Sequence, residues 1–218
     1  MLSLITGLLL GLLLGMRHAL EPDHLAAVSV MVTRAGKRGN RGGGGALVGA
    51  AWGLGHSLAL FMVGCVLAAI GTHLPPRLAD GFELLVAAML MTLGARAIYR
   101  ATWTVPGQAG HSHAHSRWDR LRQPMVVGLI HGLAGSGALT TLAMAALPTV
   151  TARLMYIGLF GLGSVIGMAA LTGLAGWPLA RLDAKGGLPR WMLGATGGFS
   201  LLLGLTWGWS ALRAVLVG

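Results

Sequence analysis

The sequence predicts an all-α integral membrane protein with six transmembrane helices, because its composition is strongly apolar and its apolar residues form long blocks. Of 218 residues, 55% are hydrophobic and 10% are charged, and the mean hydropathy is +0.72. A soluble domain carries about a quarter charged residues. The blocks lack the residue-by-residue alternation of a transmembrane β-barrel. We therefore expect a single transmembrane domain over residues 1–218.

Six blocks are close to the roughly 20 apolar residues that a membrane-spanning helix needs. They lie at about 2–32, 46–70, 82–100, 124–147, 152–176 and 191–216. Glycines at 36–45 follow the first block, Pro75 and Pro76 end the second, and Pro148 and Pro178 are expected to end the fourth and fifth. The longest connection, 101–123, follows the third block. It carries three histidines, a composition typical of metal buffering, and we expect that role for His111, His113 and His115.

The net charge of +10 is distributed by loop and does not indicate a nucleic-acid partner. Eleven lysines and arginines follow blocks one, three and five, whereas three lie in the alternate loops and near the C-terminal end. Positive residues concentrate in cytoplasmic loops. The sequence therefore predicts a multi-pass protein of the bacterial plasma (inner) membrane with both termini outside.

The first block contains a polar stretch, Arg-His-Ala-Leu-Glu-Pro-Asp-His at residues 17–24. As a straight helix, residues 2–32 would extend about 46 Å, against a hydrocarbon core of about 30 Å. Pro22 removes a helical hydrogen bond and clashes with the preceding turn, so we expect a broken helix near 17–24. The alternative is a polar turn between two shorter segments.

The break has a chemical consequence, because histidines and a carboxylate are ligands for divalent transition metals. On a regular helix His18, Asp23 and His24 would point to roughly 0°, 140° and 240°, too far apart to share an ion, whereas a break allows them to converge. Ionisable residues inside a membrane are usually functional. The predicted metal ligands are His18, Asp23, His24 and His56, with His131, Glu21 and Met16 as possible ligands or pathway residues.

Two short matches suggest an internal repeat. Gly15-x-x-His18-x-Leu20 matches Gly128-x-x-His131-x-Leu133, and Gly53-Leu54-Gly55 matches Gly161-Leu162-Gly163. Each half, about 1–100 and 124–218, would contain three spans, and an odd number inverts the second copy. Such 3+3 inverted repeats are common in transporters with a site near the bilayer midplane.

The motifs resemble those of the nickel/cobalt transporter family. The stretch from His18 to His24 has that family's His-x4-Asp-His spacing, and Leu54-Gly55-His56-Ser57 resembles its Leu-Gly-His-Ser element. The resemblance implies that His18, Asp23, His24 and His56 select the metal. The second half lacks the acidic motifs of larger members, and the short layout resembles the six-span urease-accessory-type branch.

We therefore predict a secondary transporter of divalent metal ions, Ni²⁺ and/or Co²⁺, and not an enzyme. The alternatives are a non-transporting accessory subunit that delivers metal and, with less support, an intramembrane metalloenzyme with a Zn²⁺-activated water. Ni²⁺ or Co²⁺ would be the transported ion, and no permanently bound cofactor is expected. The expected partners are the ion and the lipid bilayer, with a homo-oligomer or an accessory protein as further possibilities.

Overall fold

All regular secondary structure in the described part of the chain is helical, as the sequence predicts. The computed structural model describes residues 2–36, 44–103, 117–147, 149–183 and 190–217. Seven helices lie within these ranges: α1 Leu2–His18, α2 Pro22–Gly36, α3 Gly44–Ile70, α4 Pro76–Trp103, α5 Arg117–Ala146, α6 Val150–Asp183 and α7 Arg190–Val217. The first predicted block forms two helices, α1 and α2, and each later block forms one. Two prolines lie inside helices. The sequence predicted that the fourth block begins at Pro124, but α5 begins before this residue. It also predicted that Pro178 ends the fifth block, but α6 continues past it.

The polarity of the bundle is compatible with a multi-pass membrane protein. Four described helices are long and apolar enough to cross a membrane, namely Gly44–Ile70, Pro76–Trp103, Val150–Gly176 and Arg190–Leu216. Large apolar side chains such as Leu174, Trp103 and Leu216 are about three-quarters exposed. The interior combines apolar side chains with buried polar ones, at Asp23, His24, His56, His131, Ser164, Thr172 and Ser200. An apolar exterior with the polar side chains kept inside is what a bilayer solvent favours, since buried polar groups then find partners within the protein.

Glycines allow the helices to approach closely. The sequence places Gly7, Gly11 and Gly15 on one face of α1, and this face packs on α6, where a Cβ at Gly15 would overlap the backbone carbonyl of Phe160. On α5, a Cβ at Gly128 would overlap the carbonyl of Trp52 on α3. Small residues of this kind permit backbone contact between membrane helices. These close crossings bring the C-terminal part of α1 together with the middle of α3, α5 and α6.

Two apolar clusters lie on either side of this crossing region. The first surrounds Trp52 and includes residues of α2, α3, α4 and α6. The second surrounds Phe160 and includes Leu60, Tyr156 and Ile157. The buried histidines lie between the two clusters.

Two adjacent glycines of α7 provide a test of this packing. A Cβ at Gly197 would lie 2.8 Å from the carbonyl oxygen of Gly94 on α4, whereas a Cβ at Gly198 would meet no atom within 4 Å. We predict that Gly197→Ala destabilises the protein by about 1–3 kcal/mol, as overpacking does, and lowers its unfolding temperature in detergent. Gly198→Ala is the matched control and should leave that temperature unchanged or higher, because alanine favours helix. Equal effects of the two substitutions would contradict the packing of α4 on α7.

Candidate metal centre

The backbone turns between α1 and α2 at the centre of the polar stretch. The chain leaves α1 after His18, whose carbonyl accepts a hydrogen bond from the Glu21 N–H (3.0 Å). Pro22 is the first residue of α2, and the Leu25 N–H donates to the Glu21 carbonyl (2.9 Å). Proline suits the first position of a helix, where its missing N–H has no intrahelical acceptor to lose. Pro22 therefore starts a new helix, and residues 17–24 present their side chains from two helix ends.

Asp23 connects two helices through its carboxylate. Its Oδ1 accepts hydrogen bonds from the backbone N–H and the Nδ1 of His24, both at 2.9 Å. Its Oδ2 lies 2.7 Å from the Nε2 of His131 on α5. Because a carboxylate can only accept hydrogen bonds, this arrangement places the ring protons on His24 Nδ1 and His131 Nε2. The opposite nitrogens, His24 Nε2 and His131 Nδ1, then carry lone pairs.

A second pair of imidazoles lies beside the first. The Nε2 atoms of His18 and His56 are 3.2 Å apart, and the Nδ1 of His18 lies 2.9 Å from the Oε1 of Glu21. Two nitrogens bound at about 2.0–2.1 Å to one ion, at angles near 90–110°, lie about 2.9–3.4 Å apart. The separation of His18 and His56 therefore matches that of two ligands of a single ion.

The five side chains form two overlapping sets of three metal-ligating groups. His18, His24 and His56 make one set, and Asp23, His24 and His131 make the other; within each set one ligand atom per residue lies within 4.8 Å of the others. His24 belongs to both. Its Nε2 is buried and has no hydrogen-bond partner among the described residues, and the same is true of His131 Nδ1. Unsatisfied buried polar atoms are costly, and a cation would satisfy lone pairs at these positions.

Two aromatic side chains lie against different histidines of the cluster. Trp52 is fully buried, with its ring centroid 5.4 Å from that of His24 and 5.8 Å from that of His131. Phe160 lies 5.2 Å from the ring of His18. The cluster itself is compact, with His24 stacked on His131 at 4.2 Å. The imidazoles are thus held in an environment with apolar walls.

A cavity of about 320 Å³ adjoins the cluster. His18, Asp23, His24 and His131 line it from α1, α2 and α5. The buried ligand atoms therefore lie beside a space large enough for a hydrated ion to approach.

The sequence is similar to that of a known protein. No family model and no solved structure match the chain. It is 31% identical over 216 residues to the urease accessory protein UreH of Bacillus sp. (strain TB-90), covering 93% of the chain and 90% of the relative. The chain belongs to the UreH branch of the nickel/cobalt transporter family. UreH is an accessory protein, and a non-enzymatic role for this family member agrees with that relative.

The UreH-type fold brings most of the sequence-predicted site residues together. His18, Asp23, His24, His56 and His131 converge, and Glu21 contacts His18 from the cavity wall. Met16 does not line the cavity; a Cβ at Gly163 or Gly167 of α6 would meet its backbone, and its side chain is partly exposed. His111, His113 and His115 lie outside the described residues.

Sequence reasoning missed three features of this UreH-family site. Trp52 and Phe160 were not identified, although Trp52 lies one helical turn before His56, a spacing that places both on one helix face. The bridging position of Asp23 between His24 and His131 was also missed. No spacing rule could reveal it, since Asp23 and His131 are 108 residues apart.

We predict that Asp23→Asn weakens the binding of divalent metal by about 10- to 100-fold, the usual effect of removing a carboxylate that orients a ligating histidine. The asparagine amide offers a single acceptor oxygen, so one of the two imidazoles loses its fixed orientation. Equilibrium dialysis of detergent-solubilised protein with ⁶³Ni²⁺ measures the change. His73→Ala, on the exposed α3–α4 connection, is the histidine control. Unchanged affinity in Asp23→Asn would disprove the orienting role.

Proposed function

We propose that this protein is a secondary transporter of divalent transition metal ions, Ni²⁺ and/or Co²⁺, which bind among His18, His24 and His56. The observation that carries the proposal is the lone pair on His24 Nε2. It is buried, has no described hydrogen-bond partner, and is held in its tautomer by Asp23. Its two neighbours in the ligand set are also imidazoles. Neutral imidazole is a ligand suited to Ni²⁺ and other late transition metals.

The cost of the cluster supports a functional role for it. Ionisable side chains within apolar helices are expensive and mark ion or substrate pathways. Four imidazoles and a carboxylate have been placed here, at helix crossings where apolar side chains would pack at lower cost. A structural ion pair would need only one histidine for Asp23, whereas Asp23 contacts two and two more lie beside them.

The residues have distinct roles in the proposed binding step. His18, His24 and His56 donate nitrogen lone pairs to the ion. Asp23 supplies a negative charge beside it and orients His24, as carboxylates orient metal-bound histidines. Glu21, half-exposed, accepts a hydrogen bond from His18 Nδ1 and so leaves the Nε2 lone pair of that ring for the ion, whereas the proton shared between the Nε2 atoms of His18 and His56 must leave before both rings can bind. Metal and protons compete for one ligand set, so proton release couples binding to pH.

Reciprocal helix contacts support an inverted repeat. Under the proposed relation, α3 corresponds to α6 and α4 to α7, and each of these pairs packs antiparallel. The contact of Gly15 with Phe160 then has its equivalent in the contact of Gly128 with Trp52, at offsets of 113 and 108 residues. Likewise Gly49 meets Thr172, and the equivalent pair Ile157 and Gly64 is also in contact.

The contacts between α4 and α7 show the same reciprocal pattern. A Cβ at Gly94 would lie 2.6 Å from the Gly197 carbonyl, and a Cβ at Gly204 would lie 2.8 Å from the Ala87 carbonyl, with both offsets equal to 110. Antiparallel packing of equivalent helices supports a two-fold axis that runs across the bundle, parallel to a membrane plane. Six crossings result if α1 and α2 together make the first, with its break at the axis. This is the architecture in which two halves rock about a midplane site.

The two-fold relation assigns the aromatic residues to opposite sides of the site. Trp52 corresponds to Phe160, and each lies one turn before the residue at the crossing, His56 or Ser164. Because α3 and α6 run in opposite directions, the two rings lie above and below the cluster. In the proposed cycle, each ring closes one side of the site while the other side opens.

The loop charges support an orientation for the six crossings. With the arginine-rich and lysine-rich connections in the cytoplasm, both termini lie outside the plasma membrane. The transported ion would then pass between the outer and inner ends of the bundle through the histidine cluster.

A second candidate function follows from the name of the relative. UreH is a urease accessory protein, which favours a subunit that supplies metal to an enzyme and acts only with a partner. The metal site would be the same, but the chain alone would not move ions.

Reconstitution into liposomes tests the transport function. We expect wild-type protein to carry ⁶³Ni²⁺ across the membrane, and His18→Ala or His24→Ala to lower the initial rate to that of empty vesicles, because each removes a ligand. His73→Ala should transport normally. Membrane insertion and elution on size exclusion should be unchanged in all variants.

Two outcomes separate the candidates. Normal transport by His18→Ala or His24→Ala would overturn the site. If wild-type protein binds ⁶³Ni²⁺ in detergent but moves none in liposomes until a co-purifying partner is added, the accessory function replaces autonomous transport.

A further inference from the structure

The cavity beside the histidine cluster carries more acidic side chains than the metal site requires. The chain has six acidic residues and a net charge of +10. Three of the six, Glu21, Asp23 and Glu83, line this one cavity. Asp80 lies three residues before Glu83 on α4, a spacing that places the two on one helix face. Negative charge is therefore concentrated here in a protein that is otherwise basic.

The cavity has a buried floor and an exposed mouth. Asp23, His24 and His131 form the floor, with His24 and His131 each only 1% exposed. Both have a ring nitrogen without a hydrogen-bond partner among the described residues. Glu21 and Glu83 are exposed, as are Trp207 and Ser210 on α7.

The mouth faces one end of the bundle. Glu83 lies seven residues after the start of α4, about 10 Å along the helix, and α7 ends at this same side because it packs antiparallel to α4. A five-residue connection joins the end of α3 to the start of α4, so the end of α3 is also here. By the distribution of basic loops, this is the outer side.

On the opposite side of the cluster, the described residues are tightly packed. Trp52 precedes His56 by one turn, toward the other end of α3, and is fully buried. Met168 is also fully buried, and Gly49 and Thr172 pack in direct contact one turn further along. An ion at the histidines therefore has a described route in one direction only.

We propose that Glu83 and Glu21 form a capture site at the mouth of this cavity, where a divalent cation is held by carboxylate oxygens before it reaches the histidines. The inference rests on the proposed metal function and adds the side from which the ion arrives. A cleft lined by one sign of charge concentrates counter-ions and raises association rates. Glu83 acts on the rate of arrival, because no histidine of the ligand set is on α4.

The test measures the association of Ni²⁺ with detergent-solubilised full-length protein by stopped-flow tryptophan fluorescence, with Trp52 5.4 Å from His24 as a reporter. We expect Glu83→Gln to lower the association rate constant about three- to tenfold at low ionic strength, with its equilibrium capacity for ⁶³Ni²⁺ retained. Glu83→Asp should stay within about twofold of wild type. Salt near 0.5 M should reduce the difference, since it screens exposed charges beyond a few ångströms.

Asp183→Asn is the matched control, because it removes the same charge at the far end of α6. An equal loss of rate in that variant would attribute the effect to net charge and overturn the capture site. So would an unchanged rate in Glu83→Gln, or a loss of the equilibrium capacity, which would make Glu83 part of the binding site. If wild-type protein binds no Ni²⁺, the proposed metal function itself is wrong. This outcome differs from failure of the capture site alone, in which wild-type protein still binds Ni²⁺.

Discussion

The contacts of the Asp23 carboxylate are the constraint on which the rest of the site depends. An ionised carboxylate within an apolar bundle is stable only if its oxygens are satisfied, and Asp23 achieves this with three donors from two helices. The contacts fix the start of α2 against the middle of α5. They also fix the tautomers of His24 and His131, which leaves one lone pair on each ring. The hydrogen bond to Asp23 thereby holds His24 in the tautomer that can bind a metal ion.

That contact is possible only because the surrounding helices cross very closely. His131 reaches Asp23 from α5 and His56 reaches the same cluster from α3, so α3 and α5 must pack closely together. Backbone contact at Gly128 and Gly132 against α3 removes the side chains that would otherwise hold these helices apart. The proline at the start of α2 contributes in the same way, since an unbroken helix would direct Asp23 and His18 to different faces. The close helix contacts at glycines and the helix break therefore both bring the ligand side chains together.

The sequence predicted the parts of this site that depend on local rules. Three observations were sufficient to predict a break near His18 and His24: the charge in an apolar block, the position of Pro22 and the length of residues 2–32. Each of them reflects bilayer thickness or backbone chemistry. His131 was only a possible member, and Glu83 was not considered. Their positions depend on the rotation of α5 and α4 about their own axes, which distant packing contacts determine. For a helix whose membrane-spanning part is apolar on all sides, the periodicity of the sequence does not tell which face is turned toward the site.

The distribution of ligands between the two halves constrains how the proposed transporter could move. Among the described residues, His18, Asp23, His24 and His56 belong to the first half, and the second half contributes His131, which is hydrogen-bonded to Asp23. The position equivalent to His56 is occupied by Ser164, whose single O–H is shared between the backbone carbonyls of Phe160 and Gly15, at 3.0 and 3.3 Å. An ion bound by three imidazoles would therefore stay with the first half while the second half moves past it. Sliding of this kind occurs along packed helices, and the contacts of Gly15 with Phe160 and of Gly128 with Trp52 are made with backbone atoms, so no Cβ of either glycine opposes it. Breaking the contact between His131 and Asp23 is then the step that releases the second half, and it withdraws a hydrogen bond from the carboxylate that orients His24. Loosening of the ligand set and opening of the far side would thus be consequences of the same movement.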